Sequence, residues 1–263
     1  MDLQLRGRRA LVTGSTAGIG YAIAAALARE GARVVVNGRT QQGVDDAVAR
    51  LRSEAGPDVE GFAGDAASAE VAERLARTHP DVEILVNNLG IFEAKPFDAI
   101  PDEDWRRFFE VNVLSGVRLA RLYLPSMRAR NWGRIIFISS ESAVQIPPEM
   151  IHYGTTKTAQ LAVSRGLAES LAGTGITVNC VLPGPTRSRG VNDFVDSLAR
   201  TQGKSFDAFE REFFDNVRPT SLIRRFASPD EVAPLVAYVA SPLASATTGA
   251  ALRVDGGVVK SAF

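Results

Sequence analysis

Along the chain, short apolar and β-branched runs alternate with longer stretches in which apolar residues recur every three or four positions. The short runs are RALVT (9–13), RVVVN (33–37), VEGFA (59–63), VEILV (82–86), RIIFIS (134–139), ITVNCVL (176–182) and GAALRV (249–254). Several are apolar throughout instead of alternating, which predicts strands covered on both faces. Helical patterns fall near 18–30, 41–54, 68–77, 102–130, 153–172 and 229–240. Strand and helix in regular alternation imply right-handed βαβ units. The expected fold is α/β: a single Rossmann-like, doubly wound parallel sheet of about seven strands with helices on both faces. Pro125 lies inside the fourth helical pattern and is expected to kink or interrupt it.

One segment breaks the rhythm. Residues 183–228 carry prolines near both ends and aromatics (Phe194, Phe206, Phe209, Phe213, Phe214) among charges. An insertion of this length between two strands usually has a function. It reads as a helical lid over a cleft, within a single domain spanning 1–263. No internal repeat or low-complexity tract is visible.

Composition narrows the function classes. The chain has 263 residues, long enough to bury a sizeable core without disulfides. Its 30 basic and 30 acidic residues cancel, which argues against nucleic acid or an anionic membrane as a partner. No apolar stretch reaches the length of a membrane span, and MDLQLRGRRALVTG lacks the apolar core of a signal peptide. The single cysteine, Cys180, sits in an apolar run and cannot form an internal disulfide. A reducing, cytoplasmic setting is expected. With two histidines and no carboxylates at ligand spacing, no metal site is expected.

The first strand runs into TGSTAGIG (13–20), with Gly14, Gly18 and Gly20 spaced G-x-x-x-G-x-G. Glycines after a first strand allow a tight turn and a close backbone approach to a pyrophosphate, and the next helix points its N-terminus at the phosphates. The second strand ends in Asn37, Gly38 and Arg39. An acidic residue there would hold a ribose 2′-hydroxyl, whereas a guanidinium suits a 2′-phosphate. NADP is therefore favoured, with NAD possible. The other reading of Arg39 is a solvated loop arginine.

In IHYGTTKTAQ (151–160), Tyr153 and Lys157 stand four residues apart and share a helix face. Ser140 ends the strand before them, NNLG (87–90) closes an earlier strand, EVNV (110–113) lies within the intervening helix, and TVNCVLPGPTRS (177–188) closes the next strand. Together with TGSTAGIG, these motifs resemble the short-chain dehydrogenase/reductase family in its compact single-domain branch. The likeness spans nearly the whole chain.

The resemblance implies an oxidoreductase that moves a hydride between NADP(H) and a ketone or secondary alcohol. It makes Tyr153 the acid/base, Ser140 the hydroxyl that polarises the carbonyl, and Lys157 the cation that holds the nicotinamide ribose and lowers the tyrosine pKa. Asn112 would anchor a water of the proton relay. The implied cofactor residues are Gly14, Ser15, Thr16, Gly18, Ile19, Gly20, Arg39, Asp65, Ala66, Asn88, Gly90, Tyr153, Lys157, Pro183, Gly184, Thr186 and Ser188. Leu89 departs from the usual alanine of the NNLG motif, and Ser188 replaces a common threonine. A homotetramer is implied as well.

The residues support this division of labour physically. A carbonyl that accepts hydride builds charge on oxygen, so the site needs donors and a proton source. A neighbouring cation favours the phenolate, so lysine tunes and tyrosine transfers. Ser139 and Ser140 should face opposite sides of the strand. His152 is expected as a neighbour near the cleft, and Glu141 as either a substrate contact or a strand-end carboxylate. Candidate substrates are 3-oxoacyl thioesters and, nearly as well suited, sugar or steroid-like alcohols. The rival reading is a nucleotide-binding sensor or scaffold without turnover. A further one is an epimerase or dehydratase, although such proteins tend to be longer.

Overall fold

The computed structural model describes residues 2–187 and 205–262. Seven parallel strands form one sheet: β1 (Arg9–Val12), β2 (Arg33–Gly38), β3 (Val59–Ala63), β4 (Ile84–Asn87), β5 (Gly133–Ile138), β6 (Ile176–Pro183) and β7 (Ala251–Val254). Their order across the sheet is β3-β2-β1-β4-β5-β6-β7. The expected architecture is present, and each strand lies within two residues of its sequence-predicted bounds.

The helices are α1 (Gly18–Arg29), α2 (Gln41–Ala55), α3 (Ala69–Thr78), α4 (Asp102–Phe109), α5 (Ser115–Ala129), α6 (Ile151–Glu169), α7 (Phe206–Glu212) and α8 (Pro229–Ala240). The two-residue period of β1 divides the core between the two faces of the sheet. Ala10 and Val12 join Ile23 and Leu27 of α1, Val44 and Leu51 of α2 and Val236 of α8. Leu11 points the other way, to Leu75 of α3, Leu119 and Tyr123 of α5 and the opposite faces of β5 and β6. Continuous apolar strands are thus satisfied from both sides.

Strand order reverses between β1 and β4, so the loops leaving their carboxyl ends part and open a crevice. Both motif loops, 13–20 and 87–90, arise there. Among the described residues, no helix is long and apolar enough to cross a membrane.

Pro125 does not interrupt its helix, because α5 runs through it from Ser115 to Ala129. The irregularity lies one element earlier, in a wide π-type turn at Glu110–Leu114 that joins α4 to α5. That turn holds Asn112. Interior asparagine is unfavourable in a regular helix, and π-turns commonly mark functional positions.

Candidate active site

The glycine loop is shaped by its own backbone. Gly14 and Gly18 have φ of 60° and 58°, values that favour glycine. A Cβ on Gly20 would lie 2.4 Å from the Gly14 carbonyl oxygen and 2.5 Å from Asn88 Nδ2. Asn88 clamps this loop to β4: its Nδ2 donates to the carbonyls of Thr13 (2.9 Å) and Gly14 (3.1 Å). The Thr13 hydroxyl in turn accepts the backbone N–H groups of Asn88 and Leu89. Leu89 packs its side chain toward Gly14, with Cδ2 3.2 Å from where a Cβ would stand. Thr16 and Ile19 complete the loop and are partly exposed.

Ser15 departs from its expected role. It is fully buried, its hydroxyl donates to the Val12 carbonyl at 2.6 Å and accepts the Asn37 N–H at 3.0 Å, and its own N–H meets the Asn37 carbonyl. Its hydroxyl and its N–H splice the glycine loop to the ends of β1 and β2. It shapes the cradle instead of facing a ligand.

At that end Asn37 is also spent, donating to the carbonyls of Phe62 and Gly64. Arg39 is exposed and makes no hydrogen bond or ion pair among the described residues. Asp65 is exposed and uses Oδ1 to accept the Ala67 N–H, while Ala66 is buried beside it. Pro183 ends β6. A Cβ on Gly184 would lie 2.4 Å from the Asp255 carbonyl oxygen. Thr186 is buried, donates to the Gly184 carbonyl at 2.9 Å and pairs with Ala227. Ser188 and Phe194 lie outside the described residues. The residues present fit a dinucleotide: a side-chain-free cradle, a helix N-terminus above it and an unengaged guanidinium beyond it.

The reacting groups gather at the neighbouring carboxyl edge of β5. Ser139 and Ser140 diverge as expected. The Ser139 hydroxyl donates to the Lys157 carbonyl at 2.9 Å, fastening α6 to the sheet. The Ser140 hydroxyl turns to the cleft, accepts the Ser142 N–H at 3.1 Å and donates to Glu141 Oε2 at 2.5 Å. Lys157 lies almost completely buried, with Nζ 5.6 Å from the centre of the Tyr153 ring. The ammonium donates to the Ile138 carbonyl at 2.9 Å and to Gln160 Oε1 at 3.4 Å. A Cβ on Gly90 would stand 3.4 Å from that ammonium, so the dinucleotide loop and the catalytic helix meet there.

Burial pushes Lys157 down to about 8. It therefore remains a cation at neutral pH. The expected lowering of the Tyr153 pKa is not what this site shows. Burial raises it, the Ser140 hydrogen bond and Arg218 oppose that rise, and Glu141 adds to it. The ring is densely packed even though part of its surface opens to the cleft. The Lys157 charge is directed at the Ile138 carbonyl, so desolvation prevails. Tyr153 is a neutral phenol with its proton in place.

Asn112 is held rigidly and is buried. Its Oδ1 accepts the Ile91 N–H at 2.7 Å, and its Nδ2 donates to the Ile91 carbonyl and to Thr156 Oγ1. Its backbone carbonyl accepts from Gln160 Nε2 at 2.5 Å. Gln160 thus bridges the Asn112 carbonyl and the Lys157 ammonium, in the region where a relay water was expected. Sequence reasoning missed it, although its position three residues after Lys157 puts both on one helix face. His152 is not in the cleft. It is buried against Phe108, at 4.1 Å between ring centres, and edge-on to Trp105. Burial lowers its pKa, and no hydrogen bond to either nitrogen is seen.

Arg218, also missed, reaches back from beyond α7. Its guanidinium meets Glu141 at 3.4 Å and Glu149 at 3.1 Å. Behind it, Phe213, Phe214 and Phe226 pack with ring centres 4.9–5.1 Å apart, Phe214 edge-on to the other two. A cavity of about 390 Å³ lies between 145–149 and 216–218.

Comparison with known proteins gives this geometry its context. A family model described as Enoyl-(Acyl carrier protein) reductase matches residues 14–259. Dehydrogenase/reductase SDR family member 4 of Bos taurus is 36% identical over 96% of this chain and 88% of its own. The chain belongs to the short-chain dehydrogenase/reductase family. It is an oxidoreductase, as the resemblance implied. The uncharacterized oxidoreductase YvaG of Bacillus subtilis (strain 168) is 48% identical over the full length of both chains. L-sorbose reductase from Gluconobacter frateurii, solved with NADPH and L-sorbose, overlays with a TM-score of 0.94 at 34% identity, covering 99% of this chain and 100% of that one.

Proposed function

We propose that this family member reduces a ketone to a secondary alcohol with NADPH, using Tyr153 as the proton donor. The observation that carries the reading is the convergence of Ser140, Tyr153 and Lys157 on one edge of the sheet, next to Gly90 of the dinucleotide loop. The bound dinucleotide supplies the hydride. The chain's own residues hold the carbonyl, deliver the proton and keep positive charge nearby. A neutral phenol and a protonated amine are the forms needed for reduction at neutral pH.

NADP is favoured over NAD by the unengaged Arg39 and the absence of a carboxylate at the end of β2. Gly14, Gly18 and Gly20 would accept the pyrophosphate, and Lys157 the nicotinamide ribose. Asp65, Asn88, Pro183, Gly184 and Thr186 would line the remainder. The segment 183–228, of which 188–204 lie outside the described residues, is read as a lid within a single domain, and the Arg218 ion pairs with Glu141 and Glu149 support that reading.

We further read the protein as cytoplasmic, on the free buried Cys180, and as a homotetramer. In support of the tetramer, β7 is an edge strand, and Tyr238 and Leu243 expose apolar surface beside it.

The test is Tyr153→Phe. Proton donation typically contributes about 10²–10⁴-fold. NADPH oxidation with a ketone panel should fall by that factor, while NADPH binding followed by fluorescence is kept. A variant that retains its turnover defeats the assignment.

A further inference from the structure

The unusual feature of this site is the partner of Ser140. A serine hydroxyl has one proton, and here that proton is given to the carboxylate of the next residue at 2.5 Å, within the range of a charge-assisted bond. The Ser142 N–H already donates to the same oxygen, and the Tyr153 phenol is the other side chain in hydrogen-bond contact with it. A ketone oxygen can only accept. For Ser140 to polarise it, the proton must leave Glu141, whose carboxylate is buried and, among the described residues, has Arg218 as its ion-pair partner. Stripping a buried acceptor of its donor is costly. A plain ketone brings no replacement. A ketone with a hydroxyl on the adjacent carbon does, because its two oxygens can address Ser140 and Glu141 together.

Charge sharpens the choice. Arg218 is shared by two carboxylates, Glu141 and Glu149, and its side chain is only 12% exposed. Among the described residues these three side chains carry net negative charge, with the guanidinium already paired to both carboxylates. A keto acid would meet repulsion beside the reacting carbon.

We propose that Glu141 is a specificity-determining residue that accepts a hydroxyl of the substrate in exchange for the Ser140 hydroxyl, so that the enzyme selects neutral α-hydroxyketones. This rests on the carbonyl-reductase reading above. The reaction itself is unchanged: the carbonyl carbon gains a hydride from NADPH and the oxygen gains the Tyr153 proton, giving a vicinal diol and NADP. Glu141 takes no part in the proton transfer and only receives hydrogen bonds.

The test compares 3-hydroxybutan-2-one, butan-2-one and acetoacetate as substrates of the full chain with NADPH, read by nicotinamide absorbance. The wild-type protein should favour the hydroxyketone over butanone by on the order of a hundredfold in kcat/KM, since a missing substrate donor leaves a buried acceptor unpaired. In Glu141→Ala that ratio should collapse to within about threefold. Glu141→Gln, which keeps the shape, should also narrow it and relieve the handicap of acetoacetate. Such a collapse is not expected of a merely structural residue, whose loss would slow both ketones alike. A wild-type ratio near one overturns the proposal, as does a high ratio that survives both substitutions. Oxidation of NADPH by none of the three ketones overturns the underlying reductase reading instead.

Discussion

Lys157→Met removes the buried ammonium while keeping an unbranched side chain of similar length. Burial holds the amine at about 8 in the folded protein, against about 10.5 when unfolded. At 1.36 kcal/mol per unit, the gap corresponds to about 3 kcal/mol of destabilisation from the charge. The sign follows from which state releases its proton first. Below about pH 8 both states hold the proton, and the cost is present in full. Between about 8 and 10.5 the folded protein is neutral while the unfolded chain is still charged, so the unfolded chain binds more protons and stability rises with pH. Above that window the cost is gone.

Methionine abolishes this dependence and adds a constant penalty of about 1–3 kcal/mol, because the Ile138 carbonyl loses its donor. Only the change with pH is diagnostic. In urea unfolding of the ligand-free proteins, stability of wild type minus that of variant should grow by about 2–3 kcal/mol from pH 7 to pH 10. A flat difference, or one that shrinks, refutes the claim that desolvation governs this lysine. The same titration bears on catalysis. Loss of the Lys157 charge above about pH 8 removes the cation beside Tyr153, so kcat/KM for reduction should decline from there upward.

Two further substitutions address the cofactor. Arg39→Glu should weaken NADPH by about tenfold or more, the worth of a charge-assisted contact, and leave NADH nearly unaffected; paired fluorescence titrations check this, and an equal effect on both rejects the 2′-phosphate assignment. Gly20→Ala drives a methyl group into the Gly14 carbonyl and Asn88, and should cost about 1–3 kcal/mol of stability and weaken the dinucleotide; unchanged thermal unfolding and affinity would show that the loop yields freely.

Much of the fold was legible in the chain because its signals are local. Apolar runs such as RVVVN and ITVNCVL follow from strands covered on both faces, and TGSTAGIG from a backbone that must turn tightly. The four-residue spacing of Tyr153 and Lys157 needs only helix geometry. Pro125 did not interrupt its helix because one lost hydrogen bond was outweighed by the packing of Leu119, Tyr123 and Met127 on the sheet. The irregular turn fell at Asn112, whose side chain bonds to Ile91 and Thr156.

What the sequence determined by itself was therefore the order of elements, the place of the crevice and the identity of the groups around it. The tertiary structure decided how those groups are engaged. Ser15 is consumed by Asn37, the ammonium of Lys157 is turned to Ile138, Ser140 is tied to Glu141, and Arg218 reaches Glu141 across 77 residues of chain. Hydrogen-bond partners, burial and the pKa values that depend on them are set by atoms distant in sequence, and no local pattern encodes which donor meets which acceptor once the chain has closed.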